Sequence, residues 1–286
     1  MREYIKIIIL AVFTGVMKPL PVSSSAQFAL LNKALSFSEN SSELGFYYSI
    51  FSICFSVCVF VMLRKIYIKS IKALFITNKE KLKKEKLPAY KKVATKILLS
   101  FIPVAVLVIP ISEGTFLLDY FDKFLTENGL FLVAFACIIN ALVMVISIWY
   151  TRQNFAPVKR LPDTKSVVRM AVYSVVSYVV PGFSQFSGAT TNMLITDSDE
   201  RVIMRDSYLY LAPQIFVVSL IKIVKYIIED LVFDPVMVLT GIIASSVVSF
   251  AIIYFVGKFN MRKMFAYFCV YSAVLGFAIG VTMFFA

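Results

Sequence analysis

The sequence predicts an all-α polytopic membrane protein, an inverted repeat in which each unit is one re-entrant helix hairpin followed by three transmembrane helices. Three observations predict it. Of 286 residues, 59% are hydrophobic and only 16% charged, against the roughly 25% charge of an ordinary soluble domain. Six stretches near 44–63, 94–112, 129–150, 207–227, 236–257 and 264–286 are apolar enough to span a bilayer. Two further apolar stretches, 4–36 and 167–197, are each interrupted midway by proline, serine and other small residues.

The first element opens MREYIKIIILAVFTGVMK, a charged start and an apolar run that mimic a signal peptide. Lys18, Pro19 and Pro21 separate that run from the small residues at Ser25 and Ala26, so the segment is expected to stay within the fold. In 4–36 about twelve apolar residues precede the break PLPVSSSAQ, and a shorter apolar run follows. At 1.5 Å per residue neither half crosses a hydrocarbon core of about 30 Å, so the segment should enter, break and return to the same side. Irregular backbone at that depth survives only where protein buries it or a wet cavity receives it.

Three spans follow. Between the first two lies the stretch 64–96, with twelve Lys or Arg against two Glu. That excess predicts a cytoplasmic loop in contact with anionic lipid headgroups, and membrane insertion accounts for the charge without nucleic acid. Counting spans from there puts Arg152, Lys159, Arg160, Lys165, Lys258, Arg262 and Lys263 inside, and Glu113, Asp119, Asp122, Glu127, Glu229, Asp230 and Asp234 outside. The second hairpin, 167–197, repeats the pattern with PGFSQFSGAT at its break, and three more spans follow. Three is odd, so the second unit (151–286) must be inserted upside down relative to the first (1–150), within a single membrane domain. Transporter-like inverted repeats place their sites where such breaks meet.

Cys54, Cys58, Cys137 and Cys269 all lie in apolar segments and read as buried free thiols. The chain contains no histidine, which excludes any mechanism needing its own imidazole.

The breaks themselves suggest an anion site. Pro21 is expected to stop the incoming half-helix, and Ser23, Ser24 and Ser25 then sit where a new one starts. Free backbone N–H groups, the positive helix end and hydroxyls together attract phosphate. Pro181 and Gly182 should make the second turn, Ser184, Ser187 and Thr190 supply hydroxyls, and Gly188 permits close backbone approach. Lys18, a charge at membrane depth, is a functional candidate by default. Capping is the simpler role for any one of these serines, but the matched pair of breaks favours phosphate.

Thr14 to Gln27 reads T-G-V-M-K-P-L-P-V-S-S-S-A-Q, and residues 181–190 read PGFSQFSGAT. These resemble the two motifs of the bacterial undecaprenyl-pyrophosphate phosphatases, the BacA-type bacitracin-resistance family, roughly E-G-x-T-E-F-L-P-V-S-S-T-G-H and P-G-x-S-R-S-G-A-T. The C-terminal Gly257, Phe259, Phe265, Tyr271 and Gly276 are similar too. The resemblance implies a plasma-membrane enzyme using Mg²⁺ or Ca²⁺ to release phosphate from a lipid carrier, with a serine matching Ser24 as nucleophile. The family's metal- and proton-handling glutamates, however, fall at Thr14 and Lys18, its histidine at Gln27, and its phosphate-clamping arginine at Gln185 or Phe186. Neither motif offers a base for Ser24, or the carboxylates a hard cation needs.

The expected function is therefore a protein that binds, or binds and flips, a polyprenyl (undecaprenyl) phosphate or pyrophosphate without a metal and without efficient hydrolysis. The expected phosphate contacts are Lys18, Ser23, Ser24, Ser25, Gln27, Ser184, Gln185, Ser187 and Thr190. An active undecaprenyl-diphosphate phosphatase is the alternative, needing catalytic groups from elsewhere; Asp197, Asp199 and Glu200, which follow the second hairpin, are expected at the cytoplasmic surface, and a pseudoenzyme serving a regulatory partner is a third. In a cysteine-free background, Glu80→Cys and Val232→Cys should be labelled by impermeant maleimide from opposite sides of the membrane. Labelling of both from one side would refute the topology.

Overall fold

The computed structural model describes residues 2–76, 87–112, 115–119, 130–153, 162–196, 202–258 and 261–284. Both interrupted stretches are pairs of short helices. The first pair is α1 (Arg2–Met17) and α2 (Ser24–Leu35). Helix α1 ends at Met17, before Pro21, because the residue preceding Pro19 is driven out of helical backbone; Lys18 donates the last helical bond, to the Thr14 carbonyl at 2.8 Å. Ser23 caps α2 by accepting from the Ala26 N–H at 3.2 Å, and Ser36 closes it in left-handed backbone at φ 45°.

Asn40 caps α3 (Ser41–Met62), accepting from the Ser42 N–H at 2.9 Å. Where it is described, the basic stretch expected as a loop is helical apart from Ile76 and Leu87: α4 (Arg64–Phe75) follows α3 at once, and α5 (Pro88–Ala105) begins with Pro88 in its first turn. Its apolar residues recur at helical spacing between the lysines, which a loop would not require. The span expected near 94–112 ends early. Pro103 lies in the last turn of α5, and the β-branched residues beyond pass through a 3₁₀ turn (Val106–Val108) into a two-strand hairpin, β1 (Pro110–Ser112) against β2 (Thr115–Phe116). Apart from this hairpin the regular secondary structure among the described residues is helical.

Helix α6 (Leu130–Gln153) precedes the second pair, α7 (Thr164–Val179) and α8 (Gln185–Ile195). Asp163 caps α7 at the Ser166 N–H, 2.7 Å, and Ser184 caps α8 at the Ser187 N–H, 3.2 Å. Then come α9 (Ile203–Ile228), α10 (Pro235–Val256) and α11 (Met261–Phe284). Among the described residues five helices, α3, α6, α9, α10 and α11, are long and apolar enough to cross a membrane. Helix α5 is the expected sixth; Lys91, Lys92 and Lys96 near its start lower its apolar content.

Helix α3 is central, with 78% of its span buried, and packs along α9, whereas α10 is 22% and α11 28% buried. The outer helices expose apolar side chains such as Phe131, Val247, Val274 and Phe277, as a lipid-facing surface requires. Inside the bundle, close approach depends on small residues. Gly241, Ser245 and Ser249, four apart, form a buried stripe of α10. Gly15 of α1 meets that stripe, and Ser249 donates to its carbonyl at 3.3 Å. The second pair is placed in the same way: α7 packs on α5 and α8 on α6.

A Cβ added at Gly15 would lie 2.9 Å from the Ser245 carbonyl oxygen and 3.2 Å from the Val248 Cβ. Gly15→Val should push α1 off α10 and destabilise the protein by about 1–3 kcal/mol. The change is read as a lower Tm in detergent, and an unchanged Tm would contradict this packing.

Candidate functional site

The two breaks touch. The Gly182 N–H in the second break donates to the hydroxyls of Ser23, at 3.1 Å, and Ser25, at 3.4 Å, in the first. Gly182 holds φ +114°, and a Cβ there would strike the Ala136 Cβ at 2.6 Å and the Val133 carbonyl at 2.7 Å. Only glycine makes that turn against α6. Pro21 and Pro181 are buried beside the junction.

Next to this contact is a cavity of about 30 Å³, which by the measure that gives one water roughly 10–15 Å³ holds two or three. Lys18, Ser24 and Ser25 line it from the first break, and Ser184 and Gln185 from the second. Tyr48, Ser49 and Ser52 of α3, Ser177 and Tyr178 of α7, and Ser219 and Lys222 of α9 complete its polar wall. Tyr48 organises the first side. Its hydroxyl lies 2.8 Å from the Ser24 Oγ and accepts from Lys18 Nζ at 3.1 Å, the ammonium sitting 4.7 Å from the ring centroid. Ser49 and Ser52 each donate to a carbonyl one turn back, at 2.7 and 2.8 Å, so both are satisfied within α3. Lys18 is 5% exposed and Lys222 7%.

Not every expected residue faces this space. Ser23 bridges the breaks but is not part of the wall. Ser187 donates to the Asn140 side chain and the Ser184 carbonyl, and the Thr190 hydroxyl reaches Met204 Sδ at 3.5 Å. Both serve packing, because on α8 they lie away from the cavity. Gln27 is 3% exposed, outside the cavity wall, and both its amide atoms are buried without a hydrogen bond. At Gly188 an added Cβ would fall 1.9 Å from the Tyr173 ring, so this glycine admits an aromatic ring, where backbone was expected. Asp197, Asp199 and Glu200 lie outside the described residues. All four cysteines are buried free thiols.

Three contributors were missed. Asn140 of α6 organises the second break: its carbonyl accepts from Tyr173 at 2.8 Å, from the Ser184 N–H at 3.3 Å and from Ser187. Tyr48 and Lys222 sit inside long spans, far from either motif. For Asn140 and Lys222 a signal existed, a strongly polar side chain within an apolar span; a tyrosine in a span gives none.

Among the described residues the wall carries two lysines and no carboxylate, and no cluster of three potential metal ligands occurs. Hydroxyls and lysines are a poor donor set for Mg²⁺ or Ca²⁺. Asn140→Leu should strand the Ser184 N–H and the Tyr173 hydroxyl, costing about 2–4 kcal/mol. Thermal unfolding in detergent measures this; a Tm equal to wild type would remove Asn140 from the framework.

Residues 7–278 match the family model described as bacitracin resistance protein BacA. The chain is 23% identical to an undecaprenyl-diphosphatase of Acetivibrio thermocellus and 22% identical to one of Lactobacillus delbrueckii subsp. bulgaricus, in each case over 96% of both chains. With its touching helix breaks and its apolar helices, this multi-pass plasma-membrane protein belongs to the bacitracin resistance protein BacA family.

Proposed function

We propose that the cavity receives the diphosphate end of a polyprenyl lipid carrier and that the protein hydrolyses it to the monophosphate. The observation that carries this reading is the chain Ser24–Tyr48–Lys18, at 2.8 and 3.1 Å. A serine hydroxyl is a weak nucleophile without a neighbouring proton acceptor. The motifs supply none, but α3 does. Ser24 Oγ attacks the terminal phosphorus while its proton passes to the Tyr48 oxygen and Tyr48 gives its own to a phosphoryl oxygen. The bond to the bridging oxygen breaks and the polyprenyl monophosphate leaves; water then cleaves the phosphoserine. Lys18 steadies the negative charge on Tyr48 and on the phosphate as the proton moves. The full-length relatives named undecaprenyl-diphosphatase support the substrate class.

Binding without hydrolysis, with flipping of the lipid, is the second reading. It is favoured by Thr14, Lys18, Gln27 and Gln185 or Phe186 standing where the family pattern has carboxylates, a histidine and an arginine. An inverted arrangement of units 1–150 and 151–286 would serve it. Its support is that α1 packs on α10 of the later unit and α7 on α5 of the earlier one. At the surface, α4 exposes Lys65, Lys69 and Lys72 beside Ile68, Ile71 and Phe75, a composition suited to an anionic lipid interface.

Phosphate release from farnesyl diphosphate, with Mg²⁺ or with chelator, tests the first reading on the purified full chain. Ser24→Ala should abolish release, and Tyr48→Phe should lower kcat about a hundred-fold with KM within a few-fold. Full kcat in Tyr48→Phe would refute the relay. No release by wild type under either condition would leave lipid translocation in proteoliposomes as the deciding measurement for the second reading.

A further inference from the structure

We infer that the Tyr178 hydroxyl holds the water that hydrolyses the phosphoserine in the second half of the reaction. The inference rests on the reading of Ser24 as a nucleophile that carries the phosphoryl group between two steps. Tyr178 lies in the last turn of α7, just before Pro181 of the second break. Its ring belongs to the apolar core, it is 8% exposed, and it lines the cavity. Among the described residues whose buried side-chain polar atoms have no hydrogen-bond partner, it is the one on the cavity wall. Gln185 comes near its hydroxyl from the same wall without a bond of good geometry. The preceding hydroxyl, Ser177, turns back onto its own helix and donates to the Ser174 carbonyl at 2.7 Å. If only the ring mattered, phenylalanine would fill the same space without burying an unmatched hydroxyl. The Tyr178 hydroxyl is therefore one half of a bond to something the cavity receives.

The division of the hydroxyls and the size of the space decide what that is. On the side of the first break, Ser24 bonds Tyr48 and Lys18 donates to Tyr48, the contacts that move the serine proton. Tyr178 belongs to the helix of the second break and takes no part in them. The cavity of about 30 Å³ has room for two or three waters, and a water is held where several polar groups meet it; Tyr178, Ser184 and Gln185 supply such groups on the wall. In the second step the water oxygen bonds phosphorus while the bond from phosphorus to Ser24 Oγ breaks, its electron pair going to Oγ. One water proton stays on the new P–OH group. The other passes by way of a phosphoryl oxygen and Tyr48 to Oγ, which restores the serine. Tyr48 thus serves both steps, and Tyr178 serves the second alone by fixing the attacking water in place.

Rapid-quench analysis of the purified full chain in detergent with farnesyl diphosphate separates the two steps, because farnesyl monophosphate leaves in the first and phosphate in the second. Tyr178→Phe keeps the ring, so its Tm should match wild type. It should release farnesyl monophosphate in a burst of about one per enzyme, then phosphate about a hundred-fold more slowly than wild type. Phosphoserine at Ser24 should accumulate in the acid-quenched variant. Farnesyl monophosphate and phosphate that appear together at every time point, with no more phosphoserine than in wild type, would overturn the inference whether the variant is fast or slow. So would a Tyr178→Phe that fails to fold, since the hydroxyl would then serve packing. Wild type that releases phosphate while the variant shows no burst would discard Tyr178 alone. Wild type that releases none, with Mg²⁺ or with chelator, would discard the hydrolase reading and the water site with it.

Discussion

The hydrogen bonds that join the two breaks are the constraint on which the rest depends. Backbone that leaves helical geometry inside an apolar bundle loses its i−4 partners, and each orphaned group must be satisfied by protein or water. Here the satisfaction is reciprocal. The Gly182 N–H is taken by Ser23 and Ser25 across the junction, the Gly182 carbonyl by the Cys137 thiol at 3.6 Å, and the Ser184 N–H by Asn140. The carbonyl of Pro19 is taken by Tyr208 at 2.7 Å. Neither break is self-sufficient. Each is completed by the other and by long helices, so the interrupted pairs and the spans α6 and α9 have to be assembled together. The cavity is a by-product of that geometry, because two helix starts cannot be brought side by side without leaving space in front of them.

That dependence explains the pattern of small residues. Serine and glycine on α10 let α1 approach closely enough to set Lys18 beside Tyr48, and Gly182 lets the second turn lie on α6. The aromatic contacts fill what remains: Phe186 of α8 stacks edge-on against Tyr208 and Phe55, with centroids 5.1 and 5.3 Å away, closing the bundle behind the polar wall. Rigid apolar packing on one side and hydroxyls on the other is the division expected of a site that holds a charged headgroup while its lipid tail stays in the bilayer.

Much of this was legible in the sequence, and the misses have physical causes. Periodicity and breakers located both interrupted pairs, since Pro19, Pro21, Pro181 and Gly182 disrupt helices regardless of tertiary context. The helix start at Ser23 and Ser24 was equally visible, because capping is local chemistry. The end of α5 was not, since a run of valines and isoleucines satisfies a span and a strand equally well. Nor was the helical nature of 64–75 and 88–96, where dense positive charge hid an amphipathic pattern. Ser187 and Thr190 were drawn into the site by motif membership, whereas the rotation of α8 about its axis, a tertiary property, turned them to Asn140 and Met204.

The same distinction bears on chemistry. A motif read along the chain shows Lys18 and Gln27 where the family pattern holds acid and imidazole, and from that vantage Ser24, the proposed nucleophile, has no partner. In the folded chain proximity is set by helix packing: Tyr48 stands 24 positions from Ser24 and within hydrogen-bond reach of it, and Lys222 arrives from the other half of the chain. On the proposed diphosphate reading, a lysine at position 18, where the family pattern has a carboxylate, changes the sign of that position and would keep its purpose. Carboxylates hold phosphate through a bridging cation, while ammonium groups hold it directly, and both place positive charge against the same oxygens. The ammonium route needs the hydroxyl–phenol contact to move the serine proton, because the cation no longer polarises it. On that reading Lys18 would serve both demands from one position, donating to Tyr48 and to phosphate, so substitution there tests charge and relay at once and substitution at Tyr48 tests the relay alone.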